Sequence, residues 1–382
     1  RRQRGEQLRR PMSDGGEHRA PAGVARAILE LARWAPSGDN TQPWRFEVAD
    51  DDHVVVHAFD TRRHVVYDLD GQASQVSVGA LLETMRIAAS VHGLAAQVSR
   101  RTEAPDERPV FDVRFASDPS VAVDPLHASI VERRVQRRPF GMRRIAADAK
   151  ARLDRSVGAD HAVHWFEPLA ERLRWARLAA LNAHIRLTIP EAYAVHREVI
   201  AWGARFSDDR LPDEALGASA ATLRSMRWAM ASWSRVRRMN RWFGGTLAPR
   251  IELDLLPGVR CGAHVAIVAA RPPGGIDDHV AAGAAVQRFW LAATALGLQF
   301  QPQYTPLVFA AYARRRIAFT ADARALARAE RVRRALDALL GDAATSTVFL
   351  GRIGHGEPAT SRSLRLSLER LAWRDDEGSR AP

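Results

Sequence analysis

The sequence predicts an α+β protein in which one layout occurs twice along the chain, with antiparallel-rich sheets flanked by helices. Three observations carry that expectation. A helical run, Val24–Trp34, enters a proline-bracketed segment and leaves it as two β-rich runs, Trp44–Val48 and Val54–Phe59. A buried helical pattern, Val78–Val98 with its flanking residues, returns without a gap at Ala282–Pro302, Gly283 standing 204 positions after Gly79 as Gly297 does after Gly93. An apolar strand also precedes each copy, His53–Phe59 and His264–Ala270. Helix, strand and terminal glycine recurring together argue for internal duplication.

Taken in order, residues 1–20 are polar and arginine-rich without an apolar core, so they predict a disordered segment rather than a signal peptide. Val24, Ile28, Leu31 and Ala32 share one helix face. Pro36 and Pro43 forbid helix through the next segment, where Ser37, Gly38, Asp39 and Asn40 are turn formers. Such a loop suits a planar ligand, and an ordinary helix-to-strand turn would look the same. Thr61–Asp70 reads as a polar connection with a turn at Tyr67–Gly71. Val76–His92 reads as a buried helix capped by Gly93, and Phe111–Phe115 as a strand. These make a first half over 21–125.

The second half, 126–382, begins near His127 with Ile130–Phe140 read as a helix end running into Pro139. An insert over about 168–260 contains expected helices at Ala170–Thr188, Glu191–Phe206 and, as one amphipathic run, Thr222–Phe243. The last combines arginines with Met226, Met230, Trp233 and Met239. That pattern suits a helix packed on the protein as a lid, or one lying on a membrane surface. Val348–Gly351 is a strand tail, and Ser361–Arg365 a basic element beyond it.

Composition narrows the class. The chain is 46% hydrophobic and 26% charged, as globular proteins are. The net charge of +12 is almost all arginine, since Lys150 is the single lysine. The arginines alternate with acids and form no basic arm, so a solvated surface is expected rather than nucleic-acid binding. No apolar run approaches the roughly 18 residues of a membrane span. Cys261 is the only cysteine, which excludes an internal disulfide and fits a reducing cytoplasm. It lacks the basic helix-end setting of a nucleophile and reads as packing. His53 and His57 share a strand face too far apart for one tetrahedral metal ion, and no glycine-rich dinucleotide or Walker loop occurs.

Against this background, Ala35-Pro36-Ser37-Gly38-Asp39-Asn40-Thr41-Gln42-Pro43-Trp44 resembles the flavin-covering loop of the nitroreductase superfamily. Arg134, Gln136, Arg138 and Phe140 fall at the spacing of that family's Arg-x-Ser-x-Arg-x-Phe, which holds the FMN phosphate, with Gln136 in place of serine. Gln303, Tyr304 and Thr305 stand where the family covers the flavin, the Thr305 amide corresponding to the N–H that meets N5. Arg362, Ser363 and Arg365 match its C-terminal basic element. Phe59–Arg63, Asp68–Gly71, Ser77–Leu81 and His196-Arg197-Glu198 look like the double-domain, Acg-like members, in which two halves form a fused pseudo-dimer.

The resemblance implies one FMN per chain, held by Pro36, Ser37, Gly38, Asn40, Gln42 and the residues just named. It also implies NAD(P)H as a transient donor and hydride transfer to a small electrophilic substrate. No catalytic side chain is implied beyond the groups beside flavin N5. The expected assembly is a monomer or a homodimer. Two competing expectations are a flavin-binding or storage protein that does not turn over, and a dehydrogenating partner in biosynthesis.

Overall fold

The computed structural model describes residues 23–242 and 244–374. The disordered segment expected over 1–20 lies outside the described residues.

The first half starts with α1 (Val24–Ala32), which buries Ala25, Ile28, Leu29 and Ala32. The proline-bracketed loop follows, then the antiparallel hairpin of β1 (Trp44–Asp50) and β2 (His53–Ala58). Helix α2 (Gln72–Ser90) begins four residues before the predicted Val76. The Asp68 carboxylate explains the earlier start, accepting from the N–H groups of Ala73 at 2.9 Å and Ser74 at 3.1 Å. Gly93, at φ 66°, turns the chain from that helix into β3 (Leu94–Arg101), which pairs with β4 (Val110–Ser117). The sheet order is β1-β2-β4-β3, antiparallel throughout.

The second half adds α3 (Ala147–Ser156), β5 (His161–Phe166), α4 (Leu169–Arg186) and α5 (Pro190–Val199). Short strands β6 (Ile200–Ala201), β7 (Phe206–Ser207) and β8 (Leu211–Pro212) lead to α6 (Ala220–Met230), α7 (Trp233–Trp242), α8 (Leu247–Arg250) and α9 (Leu256–Val259). The main elements resume with β9 (Ala263–Ala269), α10 (Ile276–Ala295), β10 (Leu298–Pro302), α11 (Thr305–Arg315), α12 (Ala323–Leu340) and β11 (Thr347–His355). Strand β12 (Arg362–Ser363) and α13 (Leu368–Leu371) close the described chain. The second sheet has the order β5-β9-β11-β10, again antiparallel. Strand for strand, this is the order of the first sheet.

The helices that follow the second strand of each sheet, α2 and α10, cross at their glycines. A Cβ on Gly79 would stand 1.9 Å from the Val280 carbonyl oxygen, and one on Gly283 would stand 2.0 Å from that of Val76. Val280 follows Val76 by the same 204 positions that separate the glycines, so one contact is made twice, reciprocally. The polar contacts beside it obey the same exchange. Gln287 Nε2 donates to Thr84 Oγ1 at 2.9 Å, and Arg288 donates to Glu83 Oε1 at 2.9 Å. Reciprocal contacts of this kind are what a two-fold relation produces.

Three local expectations are corrected. Ile130–Phe140 is not a helix end: a 3₁₀ turn stops at Ser129, and the chain then runs extended beside β10, Gln136 N–H donating to the Phe300 carbonyl at 3.2 Å. The helix predicted over Glu191–Phe206 ends at Val199, because Ile200–Ala201 pairs with Leu211–Pro212 and Gly203 takes φ 73°. Thr222–Phe243 is two helices; Ser232 breaks it and its hydroxyl caps Arg235 N–H at 3.3 Å, while Phe243 lies outside the described residues. Pro306 sits in the first turn of α11.

Alanine at Gly79 tests the crossing. In a helix interior this change ordinarily stabilises by about 1 kcal/mol. Here overpacking against Val280 should reverse the sign, with a net loss of roughly 1–3 kcal/mol in thermal unfolding followed by circular dichroism, and Gly283→Ala should behave alike.

Candidate functional site

A cavity of ≈ 390 Å³ lies between the proline-bracketed loop, α2, α10, the turn into α11, and the insert. Its floor includes Val76, Ser77 and Ala80 of α2 with Val286 and Trp290 of α10, so the crossing helices form the base of the site. The insert roofs it with Asn182 and Arg186 of α4, His196 of α5 and Met226 of α6.

One end is strongly cationic. Arg133 is only 2% exposed; it donates to the Trp34 carbonyl at 2.7 Å and lies over the Trp290 ring at 4.5 Å. Arg362 donates to the Val131 carbonyl at 2.9 Å and stacks on Trp34 at 4.9 Å. Arg365 donates to the Ala35 carbonyl and to Asn40 Oδ1, each at 2.9 Å. Among the described residues none of the three meets a carboxylate, and the Nε groups of Arg133 and Arg362 are buried without a partner. Burial first, and neighbouring arginines second, lower all three guanidinium pKa values: Arg365 to about 9 beside Arg362 and Arg33, Arg362 to about 10 beside Arg134, and Arg133 well below its ordinary range beside Arg365 and Arg362. Such a cluster is poised for an anion, which guanidinium forks bind bidentately.

A second group of lining residues mixes charges. Arg186 donates to Asp254 Oδ1 at 3.1 Å, and burial lifts the Asp254 carboxyl to about 6 against the pull of Arg186. Asp39 holds an unusual backbone, φ 51°, and burial raises its carboxyl despite Arg137 and Arg186. Tyr67 Oη stands 3.0 Å from His196 Nε2.

Of the sequence-predicted residues, Pro36, Ser37, Gly38, Asn40, Gln303, Tyr304, Thr305, Arg362, Ser363 and Arg365 line this one cavity. Thr305 Oγ1 accepts from Asn182 at 2.7 Å, and Gln303 meets His264 at 3.2 Å. Gln42, Arg134, Gln136 and Arg138 are not among its lining residues. Gln42 is fully buried as a tie, donating to the Asp208 carbonyl at 2.8 Å and accepting from Leu366 N–H at 2.9 Å. The other three are displaced by strand phase. In an extended chain successive side chains alternate, so Arg133, Val135 and Arg137 face the cavity while their neighbours turn away. Arg134 donates to the Ala359 carbonyl, Gln136 to that of Glu357, and Arg138 is exposed. Sequence reasoning missed Arg133, Arg137, Tyr67, Asn182, Arg186, His196 and Asp254; doubled arginines at 133–134 and 137–138 signal the first two only if the strand is known.

His53 and His57 pair separately, with Asp112 at 2.8 Å and Glu47 at 2.7 Å, and no metal-ligand group occurs among the described residues. Cys261 is buried, as packing requires. No described helix is long and apolar enough to cross a membrane.

The fold is α+β, and its cavity is lined by a cluster of arginines without a carboxylate partner among the described residues. Comparison with known proteins extends that. The chain is 28% identical over 204 residues to a Mycobacterium tuberculosis protein provisionally named NAD(P)H nitroreductase acg, covering 52% of this chain and 59% of that one. It is 26% identical over 297 residues to an uncharacterized Mycobacterium tuberculosis protein, 76% of this chain and 40% of the relative. A third, also uncharacterized and from the same species, is 31% identical over 122 residues, 31% of this chain and 35% of its own. The chain thus spans about half the length of the curated relatives it matches. No family model matches it. The likeness supports distant kinship with nitroreductase-like oxidoreductases at the level of the family.

Arg133→Met should distinguish an anion pole from inert packing. Wild-type protein should gain ~1 kcal/mol of stability when phosphate replaces chloride at constant ionic strength and exceeds its dissociation constant severalfold. The variant should lose most of that gain in a thermal-shift measurement.

Proposed function

We propose that the chain is an FMN-dependent NAD(P)H oxidoreductase of the nitroreductase kind, a fused pseudo-dimer of halves 21–125 and 126–382 that holds one flavin between them. One observation carries the reading: three arginines without an acid, two of them with unpartnered Nε groups, open onto the cavity bounded by Pro36–Asn40 and Gln303–Thr305. Those donors fit a phosphate, and the remaining compartment, floored by Val286 and Trp290, fits an apolar planar ring. We assign the phosphate to Arg133, Arg362 and Arg365, and the ring to the compartment between the loop and Tyr304-Thr305.

The bound flavin would supply two-electron transfer from a nicotinamide to a small electrophile. The chain's own residues bind, orient and exclude water. Thr305 opens α11, where the first backbone N–H groups have no partner within the helix and carry its positive end.

The place related to this site by the 204-residue offset argues for a single flavin. Arg100 stands there for Tyr304 and Asp277 for Ala73, and the two form a bidentate ion pair at 2.8 and 3.1 Å. A storage role is the second reading, favoured because Asn40 and Gln42 tie the loop to the insert at the Asp208 carbonyl, at 3.0 and 2.8 Å.

Flavin released by heat should approach one FMN per chain. Arg365→Met should weaken FMN binding roughly ten- to hundredfold, the value of a lost charge-assisted hydrogen bond, while Arg138→Met leaves it nearly unchanged. Stopped-flow mixing with NADPH should bleach the flavin faster than it does free FMN. Bleaching by dithionite alone would favour storage, and a chain that holds no flavin would end the proposal.

A further inference from the structure

Tyr67 and His196 belong to none of the roles assigned above, although both line the cavity. They come from distant parts of the chain. Tyr67 lies in the connection before α2, and His196 on α5 of the insert. Tyr67 is 8% exposed, and its ring stands edge-on to Phe309 of α11 at 6.1 Å. The same helix begins at Thr305, beside the compartment assigned to the flavin ring. The same cavity has an apolar lining that includes Val199, Ile200, Leu211, Met226 and Leu253.

We propose that Tyr67 is the proton donor to the reduced substrate, with His196 returning a proton to it; this rests on the oxidoreductase reading above. The Oη–Nε2 separation of 3.0 Å is a hydrogen bond. With the imidazole proton on Nε2 donated to Tyr67 Oη, the hydroxyl hydrogen is free to face the cavity. The charged groups acting on the pair are Arg186, itself held by Asp254, and Asp39. Burial holds the phenol protonated beyond its ordinary range, and the positive charge of Arg186 favours the phenolate that donation leaves. Burial, then Arg186, pushes His196 down to about 3, so it is neutral at physiological pH. Tyr304 also lines the cavity, but its ring packs on Phe349 and no described side chain is hydrogen-bonded to its hydroxyl.

The chemistry balances for a carbonyl or quinone acceptor. The acceptor gains two electrons and one hydrogen as hydride drawn from NAD(P)H, and its oxygen is left anionic. That oxygen takes the Tyr67 proton: the Oη–H bond breaks, an O–H bond forms on the product, and the Nε2 proton moves onto Oη. Water returns a proton to the imidazole as Nε2 gives its own up, so His196 stays neutral and the overall step leaves one hydroxide. General acids placed this way contribute about 10²–10⁴-fold.

The test uses the full-length, flavin-loaded chain, reduced anaerobically with dithionite. It is then mixed with 1,4-benzoquinone, or with ferricyanide, which accepts single electrons without a proton. Tyr67→Phe should slow reoxidation by benzoquinone at least tenfold and abolish its solvent deuterium isotope effect, leaving ferricyanide within about twofold. His196→Gln should slow benzoquinone less, and its rate should become dependent on buffer acid. A readout without turnover is the affinity for 4-nitrophenolate, followed by its visible absorbance; Tyr67→Phe should lose about tenfold. Equal slowing with both acceptors would make Tyr67 structural and overturn the proposal, as would unchanged quinone rates and nitrophenolate affinity. Wild-type protein holding no flavin would instead overturn the oxidoreductase reading beneath it.

Discussion

The crossing of α2 and α10 is the constraint on which the rest depends. Two backbones approach so closely at Gly79 and Gly283 that no side chain fits at either point. That approach fixes the relative position of the two sheets, since each sheet packs on its own helix. It also sets the floor of the cavity, because Val76 and Ala80 come from one crossing helix and Val286 and Trp290 from the other. The polar pairs Thr84–Gln287 and Glu83–Arg288 hold the helices in register, each pair the counterpart of the other. Close packing and buried polar pairing therefore specify the same alignment.

Electrostatics then divides the cavity. At one end Arg133, Arg362 and Arg365 lie without a carboxylate partner, resting on backbone carbonyls and, for Arg133 and Arg362, on the Trp290 and Trp34 ring faces. Elsewhere in the lining, Asp39 and Asp254 offset Arg137 and Arg186. The first group is costly until an anion arrives, and the second is nearly balanced without one. A ligand with one charged terminus and a neutral body fits that gradient in a single orientation.

Much of this was legible in the sequence because the signals were local. Pro36, Pro43 and the turn formers between them announce the loop, and the Gly79/Gly283 and Gly93/Gly297 pairs announce the repeated helix. Phase was not legible. Residues 130–140 carry helix-compatible arginines, yet Pro139 and the edge of β10 draw the segment into an extended course, which moves the cavity face from Arg134 to Arg133. Contacts across the insert were not legible either, because no spacing links Tyr67 to His196 or Asn182 to Thr305. Those pairs exist only once tertiary packing has brought the segments together.

The reciprocal contact between α2 and α10 has its two sides on one polypeptide, and this alters what mass action can do. Where two separate chains meet, dilution parts them, and any substitution appears on both sides of the axis. Here the second helix is presented to the first at an effective concentration set by the connecting chain, independent of how much protein is present. Each side is also free to vary alone. The bidentate pair of Arg100 with Asp277 occupies one of two related places while the other stays open around Tyr304. Covalent linkage has separated the stability of the arrangement from its symmetry.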